Sequence, residues 1–311
     1  MTKVLLYYPP WGNRWIPYIE NELSQYYDLL VFTPDSNALN FDHLAQASEK
    51  ADILFSMWGD NILGFWTKHF PDKNIISYIR RYEVWQDYTY KNIDFKKVNA
   101  LIFVSEYYKE EFKRLLRAEP PTSYLIPNGI DLNEWKVRPE KAETNKIGMA
   151  CTVKNVKNLP LAMQILMELP DKYTIELIGT PFASQIAGQI FSYIDNLDTK
   201  GRFIYQGHKD SGEIQSWMED KDFILSTSIN EGNPNNIIEG MAMGIKPVIH
   251  NWPGALDQFP KDLVFDKISE AIAIFEGKYQ PDKYRKHVEN NYSLDNFKKI
   301  HAVIEDTQCK K

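Results

Sequence analysis

The stretch around residues 223–254 constrains the fold more than any other part of this 311-residue chain. An apolar run, Phe223-Ile224-Leu225, breaks into a polar loop that reaches Asn233-Pro234. Asn is a favoured helix N-cap, and Pro is favoured at the first helical position, where its missing N–H costs nothing. Ile237, Ile238, Met241 and Ala242 then recur at helical spacing, and Gly244 suits a left-handed C-terminal cap. A second apolar run at 247–249 and a Trp-Pro-Gly turn follow. This strand–loop–helix–strand order predicts a helix whose N-terminus lies at the carboxyl ends of parallel strands. Free N–H groups and the helix dipole favour an anion there, which is why α/β proteins bind phosphorylated ligands at that edge.

Two glutamates frame the element: Glu231 before the helix, and Glu239 inside it on the face of Asn235 and Asn236. A carboxylate accepts two hydroxyl hydrogen bonds at once, which suits the vicinal diols of ribose or a hexose. Among 42 acidic residues such a pair arises readily by chance, so solvated helix-face acids are the competing reading. On either reading neither glutamate is expected in a core.

The length accommodates two ordinary domains. Strand-like runs alternate with helical stretches at 4–7, 29–32, 53–55, 75–78, 100–104 and 124–126. A second set lies at 147–150, 174–178, 203–205, 223–225, 248–249 and 263–265. The alternation predicts parallel sheets covered on both faces. The polar stretch 135–145 separates the sets, and 141–145 is the linker candidate. A net charge of −6 argues against a nucleic-acid partner. No apolar run approaches a membrane span, and residues 1–3 lead straight into a strand, so no signal peptide is expected. Cys151 and Cys309 lack metal-type spacing, which predicts a reduced, cytoplasmic protein without disulfide or zinc. The dinucleotide fingerprint and the P-loop are both absent.

The string Glu231-Gly232-Asn233-Pro234-Asn235-Asn236, then Glu239, Met241-Ala242, Gly244 and Pro247-Val248-Ile249, closely resembles the donor-binding segment of the retaining glycosyltransferases of family 4. The likeness is close over residues 100–308 and loose over 1–99. It implies an α/β GT-B fold, with two Rossmann-like β/α/β domains facing each other across a cleft and a C-terminal helix crossing back to the first. Domains are expected at 1–140, with about 291–311 added, and at 146–290. The implied activity is transfer of a hexosyl unit from a nucleotide-diphosphate sugar to a glycan or lipid-linked acceptor, with retention of configuration. No cofactor is implied. With no Asp-x-Asp motif, no metal is expected either, and lysines with the helix dipole would meet the leaving-group charge.

The resemblance also assigns roles to residues. Glu231 would hold the donor sugar, Glu239 the ribose, and Lys157, followed by Asn158 as in the family, the diphosphate. Asn233, Pro234, Asn235 and Asn236, with Gly12 from the facing domain, would surround phosphates and sugar. Thr152 stands where relatives carry an arginine, and Lys154 is the nearest replacement cation. The loops at 178–180 and 206–209 resemble those that hold the base, bringing in Gly179 and His208. His208 is read as a surface-loop residue rather than a catalytic base. Segment 125–131, with Asn128-Gly129, matches the interdomain segment. In the first domain Arg80 occupies the place of a family histidine. Arg80 and Arg81 would suit an anionic acceptor or the donor phosphates, with a charge cluster on Glu83 and Asp87 as the alternative. Arg81 joins Glu231 and Lys157 in the catalytic set, and Glu83 the acceptor side. Trp11 and Trp15, in a loop where burial is not expected, would stack on a sugar. The basic and aromatic residues of 66–97 suggest peripheral contact with the inner face of a membrane. A nucleotide-sugar epimerase of the same architecture and a catalytically degenerate GT-B glycan-binding subunit are the alternatives.

Overall fold

A computed structural model of the chain describes residues 1–10, 15–34, 40–140 and 142–309. Trp11 and Gly12 lie outside the described residues. The chain divides into two compact units, Met1–Gly129 with Leu294–Lys311, and Ile130–Ser293. The division falls between Gly129 and Ile130, earlier than the 141–145 stretch. The backbone N–H groups of Thr144 and Asn145 instead donate to Asp222 at 2.6 Å, which holds that stretch on the second unit.

The first unit contains β1 (Lys3–Tyr7), β2 (Asp28–Phe32), β3 (Ile53–Ser56), β4 (Asn74–Ile79), β5 (Ala100–Phe103) and β6 (Thr122–Leu125). They form one parallel sheet in the order β2-β1-β3-β4-β5-β6. The second unit contains β7 (Lys146–Ala150), β8 (Thr174–Ile178), β9 (Phe203–Tyr205), β10 (Phe223–Ser226), β11 (Lys246–His250) and β12 (Val264–Phe265). Its sheet, also parallel, runs β12-β11-β10-β7-β8-β9. Each sheet is Rossmann-like. Every expected strand is present, with ends moved by a residue or two, as boundaries commonly are.

The central strands are largely apolar on both sides because each sheet separates two cores. Val4 and Leu6 of β1 face one core, and Leu5 and Tyr7 face the other. In the second unit Ile147 and Met149 face one core, while Ile224 and Ile249 face the other. The final helix, Asp295–Gln308, adds Phe297, Ile300, Val303 and Ile304 to a core of the first unit. No described helix is long and apolar enough to cross a membrane.

In each sheet the strand order reverses direction once. The reversal falls between β1 and β3 in the first unit, and between β7 and β10 in the second. Loops leaving adjacent strands in opposite directions open a crevice at such a point, where open α/β sheets bind ligands.

Candidate functional site

In the second unit, the two loops that leave the reversal point carry the candidate site. After β7 the chain makes a short 3-10 turn, Asn155–Lys157, closed by Asn158 in the left-handed region at φ 47°. The loop after β10 is fastened to that turn. Thr227 Oγ1 donates to the Lys157 carbonyl at 2.8 Å, and the Ile229 N–H donates to Val156 O at 2.9 Å. Across this frame the Lys157 ammonium pairs with Glu231 Oε1, both side chains being largely buried. Ser228 Oγ donates to the same oxygen at 2.6 Å. An ammonium has three N–H donors, and among the described residues Lys157 Nζ spends one, on Glu231.

The helix Asn235–Ala242 follows Glu231. It starts one residue later than expected, because Pro234 is extended (φ −78°, ψ 95°) and serves as the N-cap. No side chain caps its N-terminus and its first turn holds no acid, so its first N–H groups are not used by a side-chain cap. Gly244 closes it at φ 78°, as expected. Glu239 is 4% exposed and Glu231 8% exposed, so the expectation that both lie outside a core is corrected. Two buried carboxylates, one before the helix and one inside it, are costly to keep without a structural or ligand-binding use. Asn233, Asn235 and Asn236 are half-buried around them, and Asn233 Nδ2 donates to Gln258 at 3.3 Å.

Three strand ends are tied together beside this site. Gly179 N–H donates to Gly207 O at 2.8 Å, Val153 N–H to Thr180 O at 3.0 Å, and Tyr205 OH to Gly179 O at 2.7 Å. Gly179 has φ 143°, and a Cβ there would lie 1.9 Å from Cys151 O, so only glycine fits this close approach. His208 is an exposed loop residue with Nδ1 3.1 Å from Thr180 Oγ1. Lys154 Nζ lies 5.5 Å from the Phe182 ring, and Thr152 is half-buried on the same loop.

In the first unit, Trp15 is 3% exposed, against the expectation of an open loop residue. It stacks on Trp58 at 5.7 Å, and the Arg80 guanidinium lies 3.9 Å from the Trp15 ring, 4.7 Å from Tyr78 and 5.1 Å from Trp58. Such cation–π contacts are strongest when desolvated. Arg80 Nε donates to Met57 O at 3.2 Å and Nη1 to Asn128 Oδ1 at 3.0 Å. Burial lowers its pKa to about 10. Arg80 therefore organises the carboxyl edge of this sheet from inside, and its Nη2 is buried with no hydrogen-bond partner among the described residues.

Glu83 lies in the adjacent short helix Arg81–Val84, and its Oε2 accepts the Arg80 backbone N–H at 3.1 Å. The side chain is 2% exposed, and burial raises its pKa to about 7. Asp87 pairs instead with Lys91 at 2.7 Å. Arg81 opens the same helix, half-buried. At the reversal point of this sheet Tyr7 OH donates to Asp60 Oδ2 at 2.7 Å, and burial raises the pKa of Asp60. Sequence reading missed this pair; the Gly59-Asp60 ending after β3 was its only local trace.

A family profile described as Glycosyl transferases group 1 matches residues 132–288. No curated protein sequence matches the chain. Among solved structures, HepE of Anabaena in complex with UDP-glucose is similar at TM-score 0.80 and 15% identity, covering 98% of this chain and 100% of that one. The lipopolysaccharide outer core galactosyltransferase WaaB is similar at 0.77 and 16% identity, covering 98% and 99%. Sucrose-phosphate synthase of Thermosynechococcus elongatus is similar at 0.75 and 11% identity over 100% of both chains. At these identities the likeness establishes the fold, which is GT-B.

Proposed function

The chain belongs to the glycosyl transferases group 1 family, and we propose that within it the protein is a retaining, family 4 hexosyltransferase that uses a nucleotide-diphosphate sugar. The acceptor is a glycan or a lipid-linked glycan. UDP-hexoses are the first donors to test, since HepE was crystallised with UDP-glucose. The observation that carries this reading is the Lys157–Glu231 pair at the reversal point of the second sheet, next to an uncapped helix N-terminus.

In this reading the two remaining Lys157 N–H donors and the first turn of the Asn235–Ala242 helix meet the diphosphate as its bond to the sugar breaks. Glu231 accepts hydroxyls of the transferred sugar, and Ser228 and Lys157 fix its orientation. Glu239 takes the ribose diol. Gly179 and His208 line the base side. The acceptor hydroxyl oxygen bonds to the anomeric carbon as the phosphate oxygen leaves from the same face, and the hydroxyl's proton passes to that phosphate oxygen, with no metal required. Exposed Tyr82, Trp85, Lys91, Lys96 and Lys97 of the first unit offer a basic, aromatic face for an anionic membrane.

A thermal-shift screen with UDP-, GDP- and ADP-sugars tests the reading, because a bound donor raises the melting temperature with its affinity. A shift with one donor class supports it, and no shift with any donor refutes it. The absence of an arginine at Thr152 favours one second reading, a degenerate binding subunit. That reading predicts a donor shift without donor consumption. Epimerisation would instead convert the donor with no acceptor present.

A further inference from the structure

At the amino edge of the second unit's sheet, away from the strand ends that carry Lys157 and Glu231, lies a cavity of about 470 Å³. Pockets of this size hold small organic ligands. Its aromatic wall is a cluster of Tyr173, Phe223 and Phe275, with ring centroids 4.9–5.9 Å apart. Beside it stands Lys246, the first residue of β11, 3% exposed, with Nζ 5.8 Å from the Phe223 ring.

A buried ammonium calls for an anion or several acceptors. Among the described residues Lys246 Nζ has one acceptor, the Gly277 carbonyl at 2.6 Å, and no carboxylate within ion-pair distance. The cavity's acids do not fill the role. Asp222 is committed to Arg138 at 3.5 Å and to backbone N–H groups, and Glu143 and Glu276 are exposed. Burial lowers the Lys246 pKa to about 8 against the longer-range attraction of Asp262, a carboxylate that pairs instead with Lys283 at 2.5 Å. The lysine thus has two N–H donors to offer beside a flat apolar wall.

We propose that this cavity is a second ligand site that takes a small carboxylate with a flat apolar body, the carboxylate on Lys246 and the body against Phe223 and Phe275. The site is independent of the proposed donor chemistry, since it shares no side chain with it.

Benzoate is the probe, with benzyl alcohol as its uncharged counterpart, at matched ionic strength. Benzoate is expected to raise the melting temperature of the wild type, benzyl alcohol to leave it unchanged, and Lys246→Met to remove the benzoate shift. A second measurement covers a variant that fails to fold: limited acetic anhydride labelling of the wild type, read by peptide mass spectrometry. Benzoate should slow acetylation of Lys246 severalfold while leaving exposed lysines unaffected. The proposal is overturned by no benzoate shift, an equal shift with benzyl alcohol, an undiminished shift in Lys246→Met, or unchanged Lys246 labelling.

Discussion

Replacing Glu83 by Gln tests the buried charge arrangement around Arg80. The carboxyl is 2% exposed, its Oε1 is buried with no hydrogen-bond partner among the described residues, and Asp60 and Arg80 are the charged groups acting on it. Burial outweighs the attraction of Arg80 and raises the pKa from 4.5 to about 7. The folded protein therefore holds this proton more tightly than the unfolded chain. Stability from that proton is fully present below about pH 4.5 and is lost as pH rises through about 7. The interval corresponds to about 3 kcal/mol. In the Glu83→Gln variant the neutral amide mimics the protonated carboxyl, and its oxygen can still accept the Arg80 N–H. Urea unfolding of both proteins at a series of pH values measures the difference. The wild type should lose about 3 kcal/mol relative to Glu83→Gln across this window, and above it should be the less stable protein. Parallel curves would refute the burial argument, because background titrations are common to both.

Other substitutions probe the second unit. Gly179→Ala should destabilise by about 3 kcal/mol or more, since a Cβ meets Cys151 O and the backbone is strained, and urea unfolding will show whether the loops tolerate it. Gly188→Ala, in the helix Ser184–Asp195 with open space around it, should stabilise by about 0.5–1 kcal/mol in the same assay. Glu239→Gln should raise the donor KM with a smaller effect on kcat, whereas Glu231→Gln should depress kcat more strongly. Each lost charge-assisted bond is worth about 1.5–3 kcal/mol in steady-state kinetics. Gln is used because both side chains are buried, and equal kinetics in both variants would remove the proposed roles.

The strands were legible because a parallel strand covered on both faces is mostly apolar, as the runs 100–104 and 223–225 are. The helix at Asn235–Ala242 was legible for a similar local reason: Pro before it and Gly after it punctuate the chain. What the sequence concealed depends on distant partners. Trp15 reads as a loop aromatic until Arg80 and Trp58, many residues away in sequence, close over it. Glu231 and Glu239 stand out in the sequence but are not expected to be buried, because residue type alone predicts exposure. Only the pairing of strands β7 and β10 brings Lys157 to Glu231. Tyr7 and Asp60 likewise meet because β1 and β3 are neighbours. The cavity at Lys246 left no local trace, since its walls come from separate segments spread between residues 138 and 279.

Lys157→Met offers the most direct test of the nucleotide-sugar site. With the donor found by thermal shift, ¹H NMR follows its consumption and the anomeric configuration of the first-formed product, in the presence of EDTA. Wild-type protein should turn over the donor with retention. Lys157→Met should lose about 10²–10³-fold in kcat, the usual cost of removing one preorganised donor from a developing anion, while remaining folded. Undiminished turnover in Lys157→Met, an inverted product, or wild-type activity abolished by EDTA would contradict a metal-independent, retaining transfer at this site.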